Sequence, residues 1–211
     1  MADHIIVLPG GGYAEHTEHE GQPVVGWLKD NGLSAGVFHY PLHERHPIPV
    51  QALHREIRRL RTAGAGPRVG LLGFSAGGHL AGHAALTATG LDKLVDFAIL
   101  AYPITSMETD TYRPSQDILL GEDATPELRR STSLDALVTP QAPPFFIWHT
   151  AEDPYVAPEH TYLLALSLAR HRVPHTAHVF AHGPHSLGLA HGAGEVSTWT
   201  GLALRWIDDV G

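Results

Sequence analysis

Short apolar runs alternate with segments that are apolar on one side only. The runs fall at Ile5–Leu8, Ser34–Tyr40, Val69–Gly73, Phe97–Tyr102, Phe145–His149 and His175–Phe180. A strand with one wet face alternates polar and apolar residues, whereas a strand covered on both faces is apolar almost throughout. Several of the runs are of the second kind, which predicts buried parallel strands. Between them, Gln22–Asn31, Val50–Thr62, Ala76–Thr89 and Pro158–Arg172 read as helices. In the second, Val50, Leu53, Ile57 and Leu60 recur at helical spacing with arginines on the opposite side. Asn31-Gly32 stops the first helix and Pro158 opens the fourth. In the last segment, Val196–Asp209, Leu202, Trp206 and Val210 stand four apart and are suited to pack on the flank of a sheet. The alternation predicts an α/β chain: a mostly parallel sheet of about six strands between two helix layers.

One stretch breaks the rhythm. Thr105–Pro143 is long and compositionally mixed, with short helical candidates around Asp117–Leu120 and Pro126–Leu137. It is expected to run over the C-terminal edge of the sheet, facing substrate, within a single domain spanning residues 1–211. A chain of that length with 43% hydrophobic residues can bury one substantial core. There is no cysteine, which removes disulfides, thiol nucleophiles and cysteine-based zinc sites. Met1-Ala2-Asp3-His4 leads directly into the first strand without a basic, then apolar, leader, so the expected location is the cytoplasm. No apolar run is long enough to span a bilayer. The net charge is −8, and the one basic cluster, Arg55 to Arg61, reads as the wet face of a helix, so neither a nucleic acid nor a membrane is an expected partner.

The chemistry centres on Gly73-Phe74-Ser75-Ala76-Gly77, between a strand and a helix. Small neighbours permit the tight turn that lifts a serine hydroxyl out of the backbone. A neutral hydroxyl needs a base. Among 17 histidines, His185 in Gly183-Pro184-His185-Ser186 follows the last strand, where a loop can carry an imidazole over the turn; His182 and His191 compete with it. Asp153 follows the preceding strand and can orient that imidazole, as can its neighbour Glu152. The order Ser75, Asp153, His185 is the one a doubly wound sheet hydrolase uses. After the first strand, Pro9-Gly10-Gly11-Gly12-Tyr13 exposes peptide N–H groups that, with the N–H of Ala76, can surround an oxyanion. A phosphate loop is the rival reading, but neither G-x-G-x-x-G nor a terminal Gly-Lys-Ser/Thr is present there. His16, His19, His43, His46 and His54 match no metal-ligand spacing, and no metal or other cofactor is expected. Glu20 is a candidate brace for the glycine loop.

With these pieces in place the chain resembles the α/β-hydrolase fold. More narrowly, it resembles the acetylxylan-esterase-like, or carbohydrate acetyl esterase, group related to hormone-sensitive-lipase-like esterases. The similar phrases include Pro9-Gly10-Gly11-Gly12-Tyr13, His19-Glu20-Gly21, Gly73 to Ala81, Tyr102-Pro103-Ile104, Leu119-Leu120-Gly121, Pro143 to Asp153 and Phe180 to His185. The resemblance implies Ser75 as nucleophile, Asp153 as acid, His185 as base, and Gly10, Gly11 and Ala76 as the oxyanion hole. It implies a serine esterase for short acyl esters, chiefly acetyl groups on xylo-oligosaccharides or similar small carbohydrates, without a cofactor. A general short-chain carboxylesterase, a formamide hydrolase and a noncatalytic small-molecule binder on the same scaffold are the alternatives. The group usually carries extra N-terminal strands, whereas here the first strand already leads to the glycine loop. A sheet edge trimmed in that way is a candidate surface for a homo-oligomer. Ser186 stands where a glycine often follows the base, and Ala157 where proline is usual after the acid loop.

Overall fold

A computed structural model describes residues 2–87 and 95–210. In chain order the elements are β1 (His4–Leu8), α1 (Gln22–Asp30), β2 (Ser34–Val37), α2 (Ile48–Thr62), β3 (Val69–Phe74), α3 (Ser75–Leu86), β4 (Phe97–Ala101), α4 (Arg113–Leu120), α5 (Pro126–Ser131), α6 (Leu134–Leu137), β5 (Phe145–Thr150), α7 (Glu159–Arg170), β6 (His175–Phe180) and α8 (Trp199–Asp209). The six strands form one sheet in the order β2-β1-β3-β4-β5-β6, with every neighbouring pair parallel. The three-layer α/β/α sandwich read from the apolar pattern is therefore the fold.

The pattern works because successive strand residues face opposite sides. On β1, Ile6 and Leu8 join a core with Leu53, Ile57, Leu80, Ala84, Leu164 and Leu168 of α2, α3 and α7. Ile5 and Val7 join the opposite core with Val24 and Leu28 of α1 and Trp199, Ala203 and Ile207 of α8. In β5, Phe145 and Ile147 divide from Phe146 and Trp148 in the same way. Helices on both faces thus need apolar residues at consecutive positions.

Local differences from the sequence reading have local causes. Tyr40, expected to end β2, leaves the ladder after Val37 and turns inward, where its hydroxyl donates to the Pro9 carbonyl at 2.8 Å. The helix expected over Pro126–Leu137 is two helices, because Thr132 and Ser133 turn their hydroxyls back onto the carbonyls of Leu128 and Arg129. Helix α4 starts at Arg113, earlier than the segment around Asp117–Leu120 suggested. A 3-10 turn over Gly194–Thr198 precedes α8 in place of continuous helix. Ala88 and Thr89, the end of the expected third helix, lie outside the described residues. No helix among the described residues is long and apolar enough to cross a membrane.

The sheet order reverses between β1 and β3, and in such sheets the crevice beyond the strand ends at that point is the usual ligand site. Register pairs Leu8 with Gly73, which brings the glycine loop after β1 beside the turn after β3. Gly77 is required there, because a Cβ on it would lie 2.3 Å from the carbonyl oxygens of Leu8 and Pro9.

The helix layer beside α3 holds three buried neutral histidines. His79 bridges the Tyr13 hydroxyl at 2.6 Å and the Thr132 carbonyl at 2.8 Å, His83 stacks on its ring, and His160 accepts from the N–H groups of Thr105 and Ser106. Burial pushes their pKa values down to about 4, about 3 and about 4 respectively. In the unfolded chain they titrate near 6.5, so below that pH the unfolded state binds more protons and stability falls. Each contributes a slope of up to about 1.4 kcal/mol per pH unit down to its folded pKa. The expected result is a urea midpoint that drops steeply from pH 6.5 to 5; a flat midpoint over that interval would contradict it.

Candidate active site

Ser75 stands at the junction of β3 and α3 with φ at +51°, in the left-handed region that side chains other than glycine rarely enter. The strain follows from turning a buried strand into a helix without an intervening loop. His185 comes from the loop after β6 and Asp153 from the turn after β5. His185 Nε2 lies 2.8 Å from Ser75 Oγ, and His185 Nδ1 lies 2.5 Å from Asp153 Oδ2. With Nδ1–H donating to the carboxylate, Nε2 is the lone-pair nitrogen and accepts from the serine hydroxyl. Two of the competing residues, Glu152 and His182, pair with each other on the surface at 2.9 Å.

Asp153 is held from several sides. Its Oδ1 accepts from the N–H groups of Tyr155 at 2.9 Å and Val156 at 3.0 Å. His149 Nε2 donates to the Val156 carbonyl at 2.8 Å and lies 3.3 Å from Asp153 Oδ2, while its Nδ1 meets the Thr161 hydroxyl. Burial by itself would raise the Asp153 pKa, but hydrogen bonds from His149, His185 and the Val156 N–H outweigh it and hold the carboxyl well below the usual carboxylate range. Asp153 is therefore ionised at neutral pH.

The glycine loop corrects one expectation. The Gly10 N–H donates to Glu20 Oε2 at 2.7 Å, so it is committed to a buried carboxylate and is not aimed at an oxyanion. Gly11 lines the cleft in front of Ser75. Ala76 lies in the first turn of α3, where N–H groups have no intrahelical acceptor. Of the three donors predicted from the sequence, Gly11 and Ala76 are not committed in this way and remain the candidates for an oxyanion.

A cavity of about 300 Å³ opens over Ser75 and His185. Its walls are the glycine loop, Ser186, Tyr155 and the start of α4 with Tyr112, Pro114 and Ile118, so the interruption between β4 and β5 does reach over the strand ends. Tyr112 and Tyr155 are 41% and 59% exposed and meet edge to face at 5.8 Å. Tyr155 also lies against the His185 ring at 5.9 Å. Behind the site, the buried Tyr102 ring packs on His185 at 4.9 Å, and its hydroxyl donates to Glu20 and accepts from the Gly188 N–H. Four of the five histidines weighed as metal ligands have other contacts: His16 packs on His39 and Tyr40, His19 meets the Ser186 carbonyl, His46 packs on His83, and His54 meets the Ala84 carbonyl.

A parallel sheet with a serine elbow at its switch point, and a histidine and a carboxylate delivered by the last two strands, defines an α/β-hydrolase with a serine-esterase scaffold. The chain belongs to the BD-FAE family, whose model matches residues 3–168. It is 31% identical over 211 residues to endo-1,4-beta-xylanase B of Butyrivibrio fibrisolvens, an alignment covering 89% of this chain and 33% of that protein. It is 36% identical over 111 residues to an acetylxylan esterase of Xylanibacter ruminicola, covering 49% of this chain and 23% of the relative. The chain thus spans about a third or less of the length of these curated relatives. Among solved structures, an acetyl ester-xyloside bifunctional hydrolase from Caldicellulosiruptor lactoaceticus superposes with a TM-score of 0.94 at 37% identity, covering 100% of this chain and 84% of that one. A carboxylesterase from Lactobacillus plantarum WCFS1 gives 0.84 at 28% identity, covering 99% and 85%.

Sequence reasoning did not assign roles to Tyr155, Tyr102, His149 or Ser186. Tyr155 and His149 flank the acid in Asp153-Pro154-Tyr155 and His149-Thr150, and that adjacency was the available signal. Tyr102 carried only its place at a strand end and in the family-like phrase Tyr102-Pro103-Ile104.

Proposed function

We propose that this chain hydrolyses short acyl esters, chiefly acetyl esters of xylo-oligosaccharides or similar small carbohydrates, with Ser75, His185 and Asp153 as nucleophile, base and orienting acid. The observation that carries the reading is the hydrogen-bonded line from Asp153 through His185 to Ser75, ending in a cavity of about 300 Å³. Ser75 Oγ attacks the ester carbonyl as His185 Nε2 takes its proton, and the N–H groups of Gly11 and Ala76 receive the oxyanion. His185 then protonates the departing alcohol, leaving an acetyl-serine. Water attacks that ester, giving one proton to His185; collapse returns that proton to Ser75 and releases acetic acid, which loses its remaining proton to solvent as acetate. Asp153 holds the histidine tautomer and stabilises the imidazolium through both halves.

Two features support a small acyl group on a sugar alcohol. The cavity is small, which suits acetate better than a long chain. Because His185 protonates the leaving oxygen, the alcohol lies on the His185 side, where the exposed faces of Tyr155 and Tyr112 suit the C–H face of a pyranose ring. The names of the relatives, an acetylxylan esterase and an acetyl ester-xyloside hydrolase, agree in chemistry.

The test is direct measurement of acetate released from acetylated xylo-oligosaccharides beside ethyl acetate, ethyl butyrate and aryl esters. The sugar acetates are expected to have the highest kcat/KM. Tyr155→Ala should lower that value about fivefold for the sugar ester and leave ethyl acetate within about twofold, since burying roughly 40 Å² of apolar surface is worth about 1 kcal/mol. Faster cleavage of butyrate than acetate would end the short-acyl reading, and equal losses on both alcohols would end the sugar assignment.

A further inference from the structure

We propose that Glu20 is a positioning residue that ties the oxyanion loop to the loop carrying His185, with Ser186 as the arm that reaches it. The proposal rests on the acyl-transfer reading of Ser75 and His185. Glu20 ends the 3-10 turn Glu18–Glu20 and is only 1% exposed. Among the described residues no guanidinium or ammonium pairs with it; the nearest basic group there is His19 Nε2 at 4.0 Å. Its two oxygens divide the work. Oε2 accepts from the Gly10 N–H at 2.7 Å. Oε1 accepts from the Tyr102 hydroxyl at 2.7 Å and the Ser186 hydroxyl at 2.8 Å.

Each partner is one step from the chemistry. Gly10 precedes Gly11, and fixing one peptide plane restricts the next, because only two soft dihedrals separate them. Ser186 follows His185 directly. Tyr102 packs on the His185 ring and accepts from the N–H of Gly188, further along the same loop. Burial and the neighbouring Glu20 carboxylate hold the Tyr102 phenol well above its ordinary pKa, so it stays a donor. A single buried carboxylate thus sets the spacing between the group that stabilises the oxyanion and the group that moves the proton.

The residue at 186 supports the same conclusion. Ser186 has φ at +61°, a conformation glycine adopts without steric cost and serine does not. What serine brings there is its hydroxyl, and that hydroxyl is spent on Glu20. The carboxylate is also chemically specific. Glutamine is the same size, but if its oxygen meets Gly10 its NH2 must face two hydroxyls. Tyr102 already accepts from Gly188, so its own proton would then lose its acceptor.

The experiment compares the wild type with Glu20→Gln, Ser186→Ala and the double variant in steady-state hydrolysis of p-nitrophenyl acetate, with thermal unfolding measured in parallel. Loosening the loop that carries His185 misplaces the base without deleting it, so Glu20→Gln is expected to lower kcat about 10- to 100-fold with KM within about twofold. Ser186→Ala should lower kcat about three- to tenfold, and the double variant should lose less than the product of the two. Should Glu20→Gln fail to fold, Ser186→Ala and Tyr102→Phe carry the test, since each removes one donor and leaves the carboxylate in place. Wild-type kcat in the variants, a fall in melting temperature alone, or a double variant equal to the product would overturn the proposal. A wild type inactive on every ester removes the acyl-transfer reading and this proposal with it; an active wild type with unaffected variants removes this proposal alone.

Discussion

Ser75→Ala is expected to lower kcat for acetate release by roughly 10⁴- to 10⁶-fold, leaving only what binding and the oxyanion donors supply without a nucleophile. The substitution removes one oxygen and nothing structural. Ser75 Oγ has His185 as its hydrogen-bond partner, and alanine at φ of +51° meets the same steric resistance as serine. The melting temperature should therefore stay close to that of the wild type, which separates loss of the nucleophile from loss of the fold. KM should change little, because the hydroxyl gains its interaction with substrate in the transition state. Release of acetate by Ser75→Ala at the wild-type rate would place the attacking group elsewhere.

Asp153→Asn should lower kcat about 10⁴-fold, and the structure explains which way the asparagine must turn. Oδ1 of Asp153 accepts two backbone N–H groups, from Tyr155 and Val156. An asparagine keeps its carbonyl on that side, since an NH2 facing two N–H donors would leave all of them unpaired. The NH2 then faces His185 Nδ1, which must become the acceptor. The imidazole proton moves to Nε2 and points at Ser75, so the residue that should take a proton presents one. Glutamate at 152 cannot substitute, being paired with His182 at the surface. A 10⁴-fold loss in Asp153→Asn, with the fold intact by circular dichroism, is the expected result; a loss below about tenfold would show that His185 is oriented by another group.

How much of this was legible in the sequence follows from distance along the chain. The sheet was legible because covering both faces demands consecutive apolar residues, a property each strand carries alone. Ser75, Asp153 and His185 were legible because each sits just beyond the end of a strand, and parallel strands deliver their C-terminal ends to one edge. Gly10 was misread for a definable reason. A run of three glycines shows that the backbone can approach a ligand, but not which N–H points where. That is decided by Glu20, whose carboxylate arrives from ten residues further on and draws the Gly10 amide toward itself. The early departure of Tyr40 from β2 was hidden similarly, since its hydroxyl answers to the Pro9 carbonyl, whose position the fold sets.

The sequence by itself determined the layers, the order of nucleophile, acid and base, and the glycine loop, because these depend on periodicity, turn chemistry and strand ends. Only the tertiary structure decided which histidine reaches Ser75, which amides remain for an oxyanion, and that Glu20, Tyr102 and Ser186 meet. Those three residues are 82 and 166 positions from one another along the chain, counted from Glu20. Contacts over such separations leave no local pattern. They exist only once the register of β1 on β3 and the return of the β6 loop have closed the site.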